Sequence, residues 1–219
     1  MNMKTLKIII AALCMTLAAA CTPKTQNGQT KQNAQQAEGE NAVIENIMAR
    51  RSIRKYKQTP VSRDTLDLIM KCGINAPNGQ NRQSWEVRIV DDPAIMAEFK
   101  EVIAQGHPDM PANSVKGCFR DAPVMVFIAR DLSYDFSAYD CGLLAENIML
   151  SAWSLGVGSI CLGSPVRFLT DNDVCKPYVE KLGFSEGYEF CLCIGLGYAD
   201  EAPDAKPRNP EKVKYIDKL

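Results

Sequence analysis

The sequence predicts an α+β fold with a mostly antiparallel or mixed sheet that is flanked by helices. The continuous apolar run at 123–129 is typical of a strand covered on both faces, and the largely apolar runs at 157–162 and 187–195 predict two further strands. Helical patterns separate these runs irregularly, and no internal repeat is present. An apolar fraction of 46% and a charged fraction of 23% are those of an ordinary globular domain.

The remaining elements follow from local patterns. Apolar residues at helical spacing predict helices at 42–50, 62–75, 94–104, 139–155 and 171–182. Ser62 suits the cap of the second helix, and Pro93 suits the first turn of the third. The fourth is apolar around nearly its whole circumference, which predicts burial, either centrally or at a subunit interface. Residues 85–90 alternate as a strand does, and the irregular segment 105–121 is predicted to be a loop that acts as a lid.

The first part of the chain is typical of an export signal and a linker. Lys4 and Lys7 precede an apolar run at 8–20 that is too short to span a bilayer. The sequence L-A-A-A-C resembles a bacterial lipobox, which predicts a signal peptide at 1–20, cleavage before Cys21 and lipid on its sulfur. Residues 21–41 are rich in Gln, Asn and Thr and predict a lipid-anchored flexible tether.

We therefore expect an exported lipoprotein of the cell envelope, on the periplasmic side or in the outer membrane, whose folded domain is 42–219. Membrane association is expected through the lipid anchor only. A plain signal peptide with a chance cysteine is the alternative.

Charge and histidine content argue against several function classes. A net charge of −1 gives no electrostatic basis for binding nucleic acid. The single histidine, His107, argues against histidine-based triads and histidine-rich metal sites. For an enzyme of this composition we expect the chemistry to belong to a bound cofactor, and we predict neither a metal site nor a catalytic side chain.

Beyond Cys21, the predicted site of lipid attachment, the cysteines are seven, an odd number, and form no C-x-x-C pair. Cys191 and Cys193 lie in a run predicted as a strand, where alternate residues share a face. Because most of the cysteines lie in apolar contexts, we predict buried free thiols. Disulfides are the alternative, which export would permit.

The stretch A-P-N-G-Q-N-R-Q-S-W, residues 76–85, joins a predicted helix to a predicted strand, and we name it the amide loop. Pro77, Asn78 and Gly79 favour a turn. Side-chain amides carry a donor and an acceptor together, which suits the edge of a flat heterocycle. The amides here are those of Asn78, Gln80, Asn81 and Gln83. A polar surface loop that ends in a core tryptophan is the alternative.

Two basic stretches and one turn are further candidates. The sequence R-R-S-I-R-K-Y, residues 50–56, places guanidinium forks around a serine hydroxyl, which predicts a phosphate site or, alternatively, a solvated basic surface. The polar segment 198–219 carries a Lys-Pro-Arg triplet and is expected to be disordered unless it docks. The glycines of 156–165 follow a helix, so they are no dinucleotide fingerprint. Gly163-Ser164-Pro165 predicts a turn whose backbone N–H groups approach a ligand.

Taken together, these motifs resemble those of the FMN-dependent nitroreductase family. The resemblance runs from about residue 44 to the C-terminal segment and rests on four motifs in the family's order: 50–56, 76–85, 146–163 and the closing basic pair. It implies an FMN-binding α+β domain that forms an intertwined homodimer with FMN at the interface.

The resemblance also implies roles for individual residues. Arg50, Lys206 and Arg208 would bind the phosphate, and Ser52 and Arg54 would contact the phosphate, the ribityl chain or the pyrimidine edge of the flavin. Asn81 would bond the ribityl chain or the isoalloxazine edge, and the backbone around Gly163 and Ser164 would face the flavin N5 region. Pro77 and Asn78 would come from the other subunit. The chain departs from the family at Asn78, where serine is usual, and at Ser84, where proline is usual. The residues implied at the cofactor are Arg50, Arg51, Ser52, Arg54, Pro77, Asn78, Asn81, Gln83, Gly163, Ser164, Lys206 and Arg208.

The implied activity is that of an oxidoreductase that works in ping-pong order. Its acceptors would be nitroaromatics, quinones or similar electron-poor compounds, and its donor NAD(P)H or an unidentified periplasmic donor. A non-catalytic flavin-binding or ligand-binding lipoprotein on the same fold is the alternative, because an exported domain has no obvious supply of NAD(P)H. Dehalogenase or ring-cleaving chemistry also stays open within the family.

Overall fold

The computed structural model describes residues 41–217, so the predicted signal peptide, Cys21 and nearly all of the predicted tether lie outside the described residues. Within that range one four-stranded sheet has the order β1-β2-β4-β3. Every neighbouring pair is antiparallel, which confirms the expected antiparallel sheet. The strands are β1 (Trp85–Val90), β2 (Val124–Asp131), β3 (Gly158–Leu162) and β4 (Tyr188–Gly197).

Helices account for most of the rest of the described chain. The α-helices are α1 (Ala42–Ala49), α2 (Arg63–Ile74), α3 (Pro93–Gly106), α4 (Ala112–Lys116), α5 (Ser137–Ser154), α6 (Ser164–Thr170) and α7 (Lys176–Glu180). Short 3₁₀ turns lie at Gly79–Asn81, Gly117–Phe119 and Pro210–Lys212. As predicted, the Ser62 hydroxyl caps α2 by accepting from the Thr65 N–H at 3.2 Å.

The sheet is covered on both faces, as the continuous apolar run in β2 predicts. Alternate β2 residues belong to two hydrophobic clusters, Phe127 to one and Ile128 to the other. The first cluster includes Phe99 of α3, and the second includes Leu144 of α5. Each fully buried side chain of this kind contributes roughly 1.5–3 kcal/mol, so β2 is the centre of the core.

Two predicted elements differ from the structure after β3. Gly163 is the residue before α6, and Pro165 lies in its first turn, so a helix replaces the predicted Gly-Ser-Pro turn. The helix predicted at 171–182 is reduced to α7. Asn172 explains the shortening, because its side chain accepts from the Val174 N–H at 2.8 Å and forms a local turn that competes with helix.

The segment 105–121 is more ordered than a lid requires. It contains α4, and the side chains of Val115 and Phe119 are buried in the first hydrophobic cluster. Its second half is therefore a fixed part of the core.

The expectation that Cys191 and Cys193 share a face is wrong. Ala129 of β2 pairs with Phe190 and Ile128 pairs with Leu192, so Cys191 is an extra residue on β4. Such a bulge interrupts the alternation of side chains. Cys191 therefore packs against the cluster under α5, whereas Cys193 is buried in the cluster on the opposite face.

Candidate functional site

The basic stretch 50–56 runs along the free edge of β3. After α1 ends, the Ile53 N–H donates to the Ser159 carbonyl at 2.9 Å, and Ser52 bridges to the same strand residue. A Cβ atom at residue 158 would lie only 2.8 Å from the Ile53 side chain, so Gly158 permits this close approach. The backbone of the stretch is thus fixed by the sheet.

The same stretch docks the beginning of the C-terminal segment. The Lys57 N–H donates to the Tyr198 carbonyl and the Asp200 N–H to the Lys55 carbonyl, each at 2.9 Å. The Arg54 N–H donates to the Glu201 carboxylate. These bonds turn the chain after β4 back toward Ser52. The beginning of the C-terminal segment is therefore docked, which is the condition under which an ordered tail is expected.

The result is a small basic cavity of about 90 Å³, which we name the cationic cavity. Asp204 is the acidic residue among those that line it. The other lining residues are Arg50, Arg51, Ser52, Arg54, Pro203, Lys206 and Arg208. Six predicted cofactor residues therefore meet in one place, although they come from both ends of the domain.

The positive charges of the cationic cavity are poorly compensated. Arg50 pairs with Glu146 of α5 at 3.8 Å, and its side chain is 20% exposed. Within residues 41–217 the other basic residues of the cavity form no ion pair; Arg54 donates to the Ser52 carbonyl at 3.0 Å, and Arg208 to the Lys206 carbonyl at 3.2 Å. Such a cluster of donors suits an anion with several oxygens.

A thiol lies close to the Arg50–Glu146 pair. Partial desolvation and the Glu146 carboxylate raise the pKa of Cys161, whereas the Arg50 guanidinium lowers it. The thiol therefore stays protonated at neutral pH.

The amide loop is a separate structure that is built from left-handed residues. Gln80 and Asn81 have φ of 55°, and Gln83 has φ of 50°. The Asn78 side-chain oxygen accepts from the Gln83 N–H at 2.9 Å. A Cβ atom at Gly79 would overlap the Tyr134 hydroxyl, so a larger residue here would have to displace the Tyr134 side chain. The loop thus holds side-chain amides in a conformation that asparagine tolerates better than most residues.

Asp140 of α5 anchors the amide loop. Its carboxylate is 3% exposed and accepts from the Gly79 N–H at 2.9 Å and from the Ser84 hydroxyl at 2.6 Å. Sequence reasoning missed this residue, although a signal was present. Asp140 lies one turn before Leu144 on the apolar stripe of α5, and a carboxylate on such a stripe requires buried partners.

The structure does not bring all predicted site residues together within one chain. The cationic cavity contains no residue of the amide loop, and neither Gly163 nor Ser164 lines it. Both of these are exposed at the start of α6, and a Cβ atom at Gly163 would meet nothing within 4 Å. Pro77, Asn78, Asn81 and Gln83 lie in the amide loop, which α5 connects to the cavity through Asp140 and Glu146.

Two buried polar atoms have no hydrogen-bond partner among the described residues: the Ser159 hydroxyl and the Trp85 ring nitrogen. Ser159 bridges to Ser52 at the cationic cavity, and Trp85 ends the amide loop. Buried polar groups are normally paired, so both atoms are exceptions to the usual pattern.

The described residues hold no group of His, Cys, Asp and Glu that is suited to a metal ion. No helix between residues 41 and 217 is both long enough and apolar enough to cross a membrane.

FMN fits the donors of the cationic cavity. Its phosphate carries about two negative charges, and the cavity offers guanidinium forks, an ammonium group and a serine hydroxyl. The residues suited to the phosphate are Arg50, Arg51, Ser52, Arg54, Lys206 and Arg208.

Comparison with known proteins identifies the family. The model of the nitroreductase family matches residues 47–198. A protein of Archaeoglobus fulgidus, named among NADH dehydrogenases or NAD(P)H nitroreductases, is 31% identical over 174 residues, which is 76% of this chain and 93% of that protein. The NADPH-flavin oxidoreductase of Vibrio harveyi is 28% identical over 180 residues, 79% of this chain and 72% of that protein.

A solved structure agrees with both. The nitroreductase of Desulfitobacterium hafniense, solved with bound FMN, superposes with a TM-score of 0.73 at 29% identity and covers 82% of this chain and 100% of that chain. The family resemblance, the fold and the dependence on FMN are thereby confirmed. This chain belongs to the nitroreductase family, whose members are FMN-dependent oxidoreductases.

Proposed function

We propose that the chain reduces nitroaromatics, quinones or similar electron-poor aromatic compounds, with its cationic cavity holding the phosphate of FMN. The observation that carries this proposal is the meeting of Arg50 and Arg54 with Lys206 and Arg208 around one small cavity. A solvated basic surface would not explain why the C-terminal segment places its basic residues at this cavity. Phosphate binding explains it, because each charged contact to a phosphate typically contributes about 1.5–3 kcal/mol.

When bound, FMN supplies the hydride and electron chemistry that amino-acid side chains lack. The role of the protein is to bind and orient the cofactor. The backbone around Gly163 and Ser164 is exposed at the start of α6 and is open for the flavin N5 region, and the amide loop offers amides to the flavin edge. We propose that the donor, NAD(P)H or an unidentified periplasmic compound, and the acceptor bind one after the other at this place. That is ping-pong order.

We also propose that two copies of the chain form one active unit. The amide loop and the cationic cavity are separate within one chain, and the family resemblance expects Pro77 and Asn78 to reach the flavin of the other subunit. An apolar groove of about 410 Å³ lies beside α2 and α5. It supports the proposed dimer, because Trp85 at the end of the amide loop lines it. Ile74 of α2, which is half exposed, also lines the groove. Leu143, which precedes the lining residue Leu144 in the sequence, is exposed on α5.

Export as a lipoprotein anchored at Cys21 is a further proposal, supported by the L-A-A-A-C sequence alone. Expression of the full chain and of Cys21→Ser in a bacterium, followed by membrane fractionation, tests it. We expect the native chain in the membrane fraction and Cys21→Ser in the soluble envelope fraction. An unchanged distribution would contradict lipid anchoring.

The function is tested by a visible spectrum and by donor oxidation. The purified chain is mixed with FMN and desalted, and NADH or NADPH is then added with a quinone or a nitroaromatic compound. We expect a retained flavin spectrum and donor-dependent loss of the acceptor. Retained flavin with no turnover by either nicotinamide or by a chemical reductant would instead support the non-catalytic alternative.

Arg50→Ala and Arg208→Ala test the phosphate site. Each removes one charged contact, so we expect the Kd for FMN to rise about 10- to 100-fold, measured by quenching of flavin fluorescence. Arg63→Ala is the matched control, because Arg63 pairs with Asp91 at the surface and does not line the cavity. Equal affinities in all three variants and the native protein would refute the assignment of the cavity.

A further inference from the structure

The bulge in β4 directs Cys191 toward α5. Cys191 has no partner on β2, because Ala129 pairs with Phe190 and Ile128 pairs with Leu192. Cys191 and Leu192 consequently both pack against the cluster under α5. In a regular strand Cys191 would share the opposite face with Cys193 and would be out of reach of α5.

Cys141 of α5 lies opposite this bulge. Its side chain is buried, and its thiol donates to the Ala129 carbonyl at 3.8 Å, which belongs to the β2 residue at the bulge. Cys191 packs against the same cluster that contains Cys141, and each thiol shifts the pKa of the other. Two thiols that are distant in sequence thus lie at the same bulge under α5.

The two thiols differ in reactivity. The Cys141 thiol and the Arg130 guanidinium lower the pKa of Cys191, although burial and the Glu189 carboxylate act against this. The neighbouring Cys191 thiol and burial raise the pKa of Cys141. Cys191 is only half-buried, so it is both the more accessible thiol and the better thiolate.

We propose that Cys141 and Cys191 form a reversible disulfide that joins α5 to β4. In the structure both cysteines are free, so the bond requires an oxidant, which is a disulfide of a small thiol or of another protein. The Cys191 thiolate attacks one sulfur of that disulfide and releases the first thiol. The Cys141 sulfur then attacks Cys191 and releases the second. Two cysteine protons end on the two released thiols, and one disulfide has replaced another.

The test uses the full chain, reduced and then incubated with oxidised glutathione under native conditions. Remaining thiols are alkylated after acid quenching and denaturation, and the digested protein is analysed by tandem mass spectrometry. We expect one cross-linked peptide that joins Cys141 to Cys191, formed with release of two molecules of glutathione. Reduction with dithiothreitol is expected to remove the cross-link.

Single variants separate the two steps. Cys141→Ala is expected to stop at a mixed disulfide between Cys191 and glutathione, and Cys191→Ser to leave Cys141 unmodified. Cys161→Ser is the matched control, because Cys161 is exposed and lies on another strand, and it is expected to keep the cross-link. A native protein in which both thiols are alkylated, in which glutathione stays on Cys191, or in which Cys193 takes part in the cross-link would overturn the proposal.

Discussion

At the scale of single residues, Asp140 and Ser84 show how this chain replaces a rigid residue with a hydrogen bond. The family motif has proline where Ser84 stands, and proline would fix the turn by its ring. Here the Ser84 hydroxyl is buried and donates to the Asp140 carboxylate at 2.6 Å. The amide loop is therefore held by a charge-assisted bond.

We expect Ser84→Ala to lower the free energy of unfolding by about 1.5–3 kcal/mol, because it leaves one oxygen of a buried carboxylate unpaired. In an Asp140→Asn background the same change is expected to cost less, since an amide tolerates the loss better than a carboxylate. Denaturant titration of the four proteins measures this coupling.

Ser133→Ala is the control for that cycle. Its hydroxyl also donates to an aspartate, Asp131, at 2.7 Å, but at an exposed position, so no measurable change is expected. Equal losses for Ser84→Ala and Ser133→Ala would show that burial of the Asp140 pair is unimportant.

Tyr56 makes stability depend on alkaline pH. Its hydroxyl is buried and donates to the Ile53 carbonyl at 2.7 Å. Burial, and then the Glu201 carboxylate, raise its pKa well above the usual value of 10.0, while Arg54 lowers it. Above the usual tyrosine pKa the unfolded chain loses the tyrosine proton, whereas the folded chain still keeps it. The free energy of unfolding therefore falls as pH rises.

We expect Tyr56→Phe to reduce this loss by up to about 1.4 kcal/mol per pH unit above pH 10. Urea titrations of both proteins at several pH values from 9 upward measure the slopes. Buried cysteines with raised pKa, such as Cys193, contribute equally to both proteins and cancel in the difference. Parallel slopes would contradict the effect of Tyr56.

At the scale of elements, the C-terminal segment has regular structure only at its short 3₁₀ turn among the described residues and is fixed at its beginning alone. Ala199 bridges to Tyr56, and the residues that follow lead to Lys206 and Arg208. Few of its side chains are buried, so it contributes little to the core. Its contribution is to the cationic cavity.

We expect a chain that ends after Pro203 to keep its thermal midpoint within about 2 °C, since it retains the docked residues 198–201. Its FMN affinity is expected to fall as far as that of the double variant Lys206→Gln/Arg208→Gln. Lys212→Gln/Lys214→Gln removes the same charge from the same segment beyond the cavity and is expected to keep the affinity. Calorimetry and flavin titration give both quantities; an unaffected affinity in the shortened chain would contradict the role of the tail.

The sequence predicted elements well where one local signal dominates. β1 was predicted at its observed bounds, and Ser62 caps α2 as expected, because alternation and capping act within a few residues. It failed where tertiary contacts decide. The bulge at Cys191 depends in this way on pairing with β2. The bounds of α6 and α7 were missed for another reason, because they depend on local turns that composition does not show.

The candidate site was predictable to the same extent. Charged residues at 50–54 and at 206–208 stand out in the sequence, and the structure places them around one cavity. That they bind FMN remains a prediction. Asp140 and Glu146 were not predicted, because their roles depend on which residues α5 meets in the fold.

At the scale of the whole molecule, one chain leaves its two candidate site regions apart. The amide loop lies at the beginning of α5, and the cationic cavity is reached from Glu146 further along that helix. A two-fold dimer places the same surface of each copy against the other, so one interface can join the loop of one chain to the cavity of its partner, twice. Dimer formation and FMN binding are then thermodynamically linked, so that each favours the other.

Leu143→Glu tests that linkage. Leu143 is 44% exposed on α5, and a charge at the core of an apolar interface is strongly unfavourable. We expect at least a tenfold weaker dimer by sedimentation velocity and, in the same protein, a loss of FMN affinity that high protein concentration restores. Val174→Glu, at a half-exposed position between α6 and α7, is the control and is expected to change neither. A monomer that binds FMN as tightly as the native protein would show that each chain builds a complete site alone, because affinity would then not depend on concentration.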